Sequence, residues 1–280
     1  MARIAIFQMN SGIDPAANLS AIEQAMAQAM EGGADVLFTP EMSILLDSNR
    51  KRAAATKQDP DYLQIPGTLS DLARKAGVDL ALGSMPVQLS NGKSANRSFY
   101  FSSQGSAPTI YDKLHMFDVD LSTGESWRES SAYNAGDAVA VRADTPLGRL
   151  GLTICYDVRF PGLFDALGRQ KCDTISVPAA FTRPTGAAHW HVMLRARAIE
   201  ASAFVVAAAQ TGEHEDGRAT YGHSLVIDPW GEVLLDMGDA PHANAPGVGF
   251  CDIDLSRIDT VRAQVPSLAN RRAIPTSKSS

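Results

Sequence analysis

Cysteine is scarce in this chain. Cys155, Cys172 and Cys251 are the three among 280 residues, and no two of them form a CxxC pair. Such an odd, scattered set suggests neither a disulfide framework nor a cysteine-based zinc site. Basic charge is also in short supply: 25 Lys and Arg face 31 Asp and Glu, for a net charge of −6. Nucleic acid and anionic membrane surfaces recruit clustered Lys and Arg, so neither is expected as a partner. No apolar run approaches the roughly 18 residues of a membrane-crossing helix. The amino terminus MARIAIFQMN lacks a basic stretch followed by a long apolar one, which makes the cytoplasm the expected location. HExxH, GxSxG, the phosphate-binding P-loop and GxGxxG are all missing, which removes the usual zinc-protease, serine-hydrolase and nucleotide-site readings.

What is present is the composition of a folded protein, 45% hydrophobic and 20% charged. Apolar β-branched runs alternate with helix-period stretches, the pattern of β-α units in a layered α/β fold. RIAIFQM is a strand; Asn18 to Glu31 puts Leu19, Ile22, Ala25, Met26 and Ala29 on one helical face and stops at Gly32-Gly33. ADVLFTPE is a second strand ending at Glu41, Leu69 to Ala76 a helix, and VDLALGS a third strand. Arg97 to Ser102 and Thr109 to Tyr111 form a meander closing on Lys113. The plan then repeats: RLGLTIC ends at Cys155, Phe160 to Gln170 is a helix, DTISVPAAF a strand, Ala187 to Ala201 a longer helix and AFVVAAAQ a strand. This reads as an internal duplication around one core, which favours a single domain over residues 1–270 with a tail at 271–280. YGHSLVIDPWGEVLLD is a hairpin about Asp228-Pro229-Trp230-Gly231, and GVGFCDIDLSRI supplies one more strand.

Three reactive side chains fall at ends of these runs. Cys155 is followed by a helix start near Pro161, where backbone N–H groups and the helix dipole favour a thiolate nucleophile. A small buried hydrophobe is the competing role for any such cysteine. Glu41 ends a buried strand at the sheet edge where open α/β folds place ligands, and burial there is expected to raise its pKa toward neutrality, as suits a general base. Lys113 completes a chemical logic: the carboxylate takes the thiol proton, the thiolate attacks, and the ammonium stabilises the oxyanion. His189 and His191 in AHWH point about 200° apart on a helix, which is wrong for a shared metal; the thiol chemistry itself calls for no metal and no cofactor. A glutamine amidotransferase would also use cysteine, but ICYDV lacks the required glycines and His214-Glu215 the required spacing.

FTPEMS, YDKLHMFDVDL and GLTICYDVRFP, with AHW, RARAIE and YGHSLVIDPWG downstream, resemble the blocks of the carbon–nitrogen hydrolase (nitrilase) superfamily over nearly the whole chain. The resemblance implies a four-layer α-β-β-α sandwich, homodimers or higher homo-oligomers built through outer helices, and an amidase in which Glu41, Lys113 and Cys155 form the catalytic triad and work through a thioester. It adds Glu129 as a further active-site carboxylate, with Glu125 as the rival position. Cys155-Tyr156-Asp157 and Arg159-Phe160-Pro161 resemble the branch that hydrolyses deaminated glutathione and its ω-amidase relatives. Gly162 departs from that branch, which usually has Glu there. The implied substrate is a small linear amide carrying carboxylates: deaminated glutathione, or alternatively 2-oxoglutaramate. Tyr156 would add a backbone N–H to the oxyanion site. Arg159 would meet a substrate carboxylate unless it pairs with Asp157 or a second subunit, with Arg183 the second choice and Thr182 and Thr185 polar neighbours. Gln210 to His214 would form a rim that admits or blocks a dipeptide. Apolar positions Val192, Leu194, Ala198 and Ile199 are expected in the subunit contact. The non-enzyme alternative is a silent scaffold using Cys155 as a redox sensor.

Overall fold

The computed structural model describes residues 1–120, 124, 126–238 and 247–275. Along the first half run β1 (Ala2–Gln8), α1 (Pro15–Glu31), β2 (Val36–Phe38), α2 (Arg50–Thr56), α3 (Pro60–Ala76), β3 (Asp79–Gln88), β4 (Ser94–Phe101) and β5 (Thr109–Asp112). A short hairpin of β6 (Asp118–Asp120) and β7 (Ser126–Arg128) follows. The second half continues with β8 (Ala140–Thr145), β9 (Gly148–Leu152), α4 (Pro161–Arg169), β10 (Thr174–Ser176), α5 (Arg183–Ala201) and β11 (Phe204–Ala207). A second hairpin, β12 (Thr211–Glu213) with β13 (Ala219–Tyr221), precedes β14 (Leu225–Ile227), β15 (Val233–Asp236), β16 (Gly247–Ile253) and α6 (Ser256–Gln264).

The two six-stranded sheets repeat one another strand for strand. The first has the order β16-β1-β2-β3-β4-β5 and the second, read from its other edge, β8-β9-β10-β11-β14-β15. In each, three central parallel strands are flanked by one antiparallel strand on one side and an antiparallel pair on the other. The duplication seen in the sequence is therefore a duplication of topology. The last strand, β16, returns to pair with β1, so the chain's end closes the sheet that its beginning opened.

Strand β1 shows why its sequence carries no polar alternation. Ile4 and Ile6 face one hydrophobic cluster, shared with Leu150, Ile175 and Val205 of the second sheet, while Ala5 and Phe7 face another with Ile22 and Met26 of α1 and Leu69 of α3. Buried on both faces, it reads as a continuous apolar run. The layers are thus α1 and α3, first sheet, second sheet, then α4 and α5: the expected α-β-β-α sandwich. Helix α1 begins where Asp14 caps Ala16 N–H and Pro15 supplies a preset φ, and it ends before Gly33 at φ 69°.

Local reading and structure part at several ends. Helix α3 starts at Pro60 rather than Leu69 and runs through Pro66, a residue that normally signals a helix boundary. Helices α2 and α6 escaped periodicity because they bury little: none of α2 is buried, and only Ile258 and Val261 of α6. The strands expected to reach Glu41 and Cys155 stop at Phe38 and Leu152, where their parallel pairing ends. Arg271, placed in the loose tail, is held by Asp165 and by the Glu200 carbonyl; residues 276–280 lie outside the described ones.

Candidate active site

Each of the three reactive side chains sits on backbone locked from several directions. Glu41 lies three residues past β2; Gln210 Nε2 holds its carbonyl at 2.9 Å, and Thr39 N–H donates to the Ala81 carbonyl. Gly83 makes this approach possible, since a Cβ there would lie 2.2 Å from the Thr39 carbonyl oxygen. Lys113 follows β5, its N–H donating to Asn96 and its carbonyl accepting from Gly136. Cys155 opens a 3-10 turn, Cys155–Arg159, with φ 48° and its N–H on the Pro178 carbonyl at 2.8 Å. A left-handed non-glycine residue costs about 1–3 kcal/mol and persists where surrounding contacts over-determine it, commonly at functional sites.

The side chains converge in a closed set. Lys113 Nζ lies 2.9 Å from Glu41 Oε1 and 2.9 Å from Glu129 Oε2. Asn96 Nδ2 donates to the same two carboxylates, at 2.9 Å to Glu41 Oε1 and 3.2 Å to Glu129 Oε1. The Ala180 N–H reaches Glu41 Oε2 at 3.0 Å and the Phe117 N–H reaches Glu129 Oε2 at 2.7 Å. The Cys155 thiol lies near enough to Glu41 and Lys113 to feel both charges. Glu41, Lys113 and Cys155 are all buried, so water screens their charges little.

The electrostatics overturn two expectations. Burial would raise the pKa of Glu41, but the Lys113 ammonium and hydrogen bonds from Lys113 and Asn96 outweigh it and hold the carboxyl below its ordinary value of 4.5. Burial and the neighbouring Glu41 charge push the Cys155 thiol well above 9.0, and Lys113 only partly opposes them. Burial would lower Lys113, yet Glu129 and Glu41 raise it. The resting site is therefore thiol, carboxylate and ammonium. The helix dipole does not produce a standing thiolate here.

Around this set the sequence candidates divide. Tyr156 packs edge-on against Phe117 and Phe160. Its N–H lies in the first turn of the 3-10 segment, where no intrahelical carbonyl precedes it. Arg159 makes no ion pair with Asp157. Its guanidinium lies over the Tyr156 and Phe181 rings and 3.2 Å from His189 Nδ1, and no described carboxylate pairs with it. Thr182 caps α5 and shares a hydrogen bond with Thr185, while exposed Arg183 only grazes Glu213 at 4.0 Å. Gln210 and His214 do not form a rim. Gln210 is buried between Ser11 and Glu41, and His214 between Ser11 and Thr220. Glu125 lies outside the described residues.

Two residues with structural claims on the site escaped sequence reasoning. Asn96 is one; Ser94, Asn96 and Ser98 are buried polar residues at period two along one strand, and that stripe was the readable signal. The other is Asp157, whose fully buried carboxylate accepts from Tyr111 Oη, His115 N–H and Ile154 N–H and contacts His115 Nδ1. It joins the turn bearing Cys155 to the segment bearing Lys113.

A four-layer α-β-β-α sandwich with a carboxylate, an ammonium and a thiol buried together at its centre is the architecture of a class of hydrolases. The chain belongs to the carbon–nitrogen hydrolase family, whose sequence profile matches residues 3–263. It is 40% identical over 276 residues to the deaminated glutathione amidase of Yersinia enterocolitica, covering 98% of this chain and 94% of that one. Its fold matches the crystal structure of the Caenorhabditis elegans NitFhit protein with a TM-score of 0.87 at 36% identity, over 97% of this chain and 65% of that longer one. It also matches, with a TM-score of 0.77 at 25% identity over 95% of this chain and 98% of the other, a mutant amidase from Nesterenkonia sp. AN1 carrying acrylamide added to its active-site cysteine.

Proposed function

We propose that the chain is an amidase that hydrolyses deaminated glutathione through a thioester on Cys155. The observation that carries this reading is the contact of Lys113 Nζ with Glu41 at 2.9 Å, with the Cys155 thiol buried beside the same two charges. The amidase name of the Yersinia relative supports the reaction class and the substrate. Glu41 accepts the thiol proton as Sγ bonds the amide carbon. The oxyanion rests on Lys113 Nζ and the Tyr156 N–H, each donor contributing about 3 kcal/mol in comparable sites. The C–N bond breaks as Glu41 returns the proton to the departing amine, leaving the thioester. Glu41 then takes a proton from water, the hydroxide displaces Sγ, and the thiol re-forms with release of 2-oxoglutarate; cysteinylglycine left in the first half. Glu129 fixes the Lys113 ammonium throughout. Arg159, without a carboxylate partner of its own, meets a substrate carboxylate.

The same reading takes residues 1–270 as one domain, supported by the hydrophobic cluster that draws on both sheets. It takes the protein as cytoplasmic, in line with its free cysteines, and no described helix is long and apolar enough to cross a membrane. A homo-oligomer is supported by the exposed apolar residues Val192 and Ile199 on α5 and Trp230, Val233 and Leu234 of the β14–β15 hairpin, where Ile199 lies against Gly231. Leu194 and Ala198, expected in that contact, instead face the core.

The test is a comparison of kcat/KM for deaminated glutathione and 2-oxoglutaramate, with intact-mass detection of an acyl adduct. A higher value for deaminated glutathione and an adduct absent in Cys155→Ala are expected. Preference for 2-oxoglutaramate moves the assignment to the ω-amidase reading. Turnover retained in Cys155→Ala overturns the chemistry, and oxidation of Cys155 without any amide turnover leaves the redox scaffold.

A further inference from the structure

The histidine pair that the helix wheel separates is replaced in three dimensions by another. His191 on α5, His223 in the segment before β14 and Asp236 at the end of β15 each offer one ligand atom, and these atoms all lie within 4.8 Å of one another. His191 Nε2 is 3.0 Å from Asp236 Oδ2, and His223 Nδ1 is 2.9 Å from Oδ1 and 3.2 Å from Oδ2. Donors on a tetrahedral shell of about 2.0 Å radius stand roughly 3.3 Å apart, so the two histidine–carboxylate spacings already suit an ion, and the remaining spacing, no more than 4.8 Å, closes by rotation of the side chains.

The surroundings hold the three donors in place. The Asp236 carboxylate accepts the Gly238 N–H at 2.9 Å, and the Tyr221 ring stacks on His223 with centroids 4.5 Å apart. His223 keeps a left-handed φ of 52° against its own preference, tied by its N–H to Gly238 and by its carbonyl to Trp190 Nε1. Without that backbone the imidazole would not turn toward Asp236. Each imidazole's second nitrogen has no partner among the described residues, so it can carry the ring proton while the first binds metal. The side chains are one-fifth to one-third exposed, which leaves an entry path and a fourth position for water.

We propose that His191, His223 and Asp236 bind one divalent first-row transition-metal ion, of which Zn2+ is the type, pinning α5 to the β14–β15 hairpin. Two imidazoles and a carboxylate are donors suited to such an ion rather than to Mg2+ or Ca2+, which prefer all-oxygen shells. Unlike the proposed hydrolysis, this site involves none of Glu41, Lys113 or Cys155, so either can fail alone.

The experiment is a titration of Zn2+ into the chelator-stripped full chain bearing Cys155→Ala, which removes a competing thiol, followed by calorimetry and thermal melting. One Zn2+ per chain with micromolar affinity and a rise in Tm of a few degrees is expected. His191→Ala and Asp236→Asn should each weaken binding at least tenfold and abolish the rise. His223→Gly, which suits the left-handed backbone, should do the same while keeping the fold. No stoichiometric binding, or binding that survives His191→Ala and His223→Gly unchanged, overturns the site and leaves a carboxylate-bridged histidine pair.

Discussion

The Tyr111 hydroxyl donates 2.7 Å to the buried carboxylate of Asp157, and this bond fastens the segment carrying Lys113 to the turn carrying Cys155. The two halves of the duplicated fold meet at the site through it. Removing the acceptor strands two buried donors, Tyr111 Oη and Ile154 N–H, and the half-buried His115 N–H. Asp157→Ala should therefore cost on the order of 3 kcal/mol or more, since each unsatisfied buried group costs about 1–3 kcal/mol. Urea denaturation reads the loss; an unchanged midpoint would remove Asp157 from the account of the site.

Asn96 serves the site by holding two carboxylates of like charge against one ammonium. Asn96→Ala removes charge-assisted hydrogen bonds of roughly 1.5–3 kcal/mol, which predicts a fall in kcat of about 10- to 100-fold with a smaller change in KM. The acid limb of the pH profile should also move upward, because one group that lowers Glu41 is gone. Asn96→Asp should be worse, adding a third carboxylate beside Lys113.

The pH dependence of stability follows from two opposed shifts. Glu41 has a folded pKa below 4.5, so its contribution is present above that value and is lost as pH falls through the folded pKa. Cys155 has a folded pKa above 9.0, so its contribution is present below 9.0 and is lost as pH rises through the folded pKa. Melting curves across pH should show Cys155→Ala losing part of the alkaline decline. The ultraviolet thiolate band of the wild type, taken as a difference from that variant, should be absent at neutral pH.

Gly162 is the departure from the branch pattern, and nothing requires glycine there: an added Cβ would meet no atom within 4 Å. It is the second residue of α4, after Pro161. Gly162→Glu should stabilise the protein by about 1 kcal/mol, through helix propensity and the favourable dipole at the first turn. A raised Tm with unchanged kcat is the expected result.

The sequence by itself determined the layered architecture and the repeated half, and it singled out the side chains proposed to react. Those depend on periodicity and residue chemistry, which are local: Ile4 to Phe7 announces a strand buried on both faces, and Ile22 to Ala29 a one-sided helix. Only the tertiary structure decided the state of those groups. The Lys113 contact that keeps Glu41 charged spans 72 residues and the Ala180 bond to the same carboxylate spans 139, so a reading that stopped at burial had the sign of the Glu41 shift reversed. Chain order leaves open whether Arg159 pairs with Asp157 two residues away or meets a substrate; the turn sends Asp157 inward to Tyr111 and Arg159 onto aromatic rings. His191 likewise finds its partners on a distant hairpin. Charge and hydrogen bonding act through space at about 3 Å, and chain order says little about which groups the closing of two sheets brings that near.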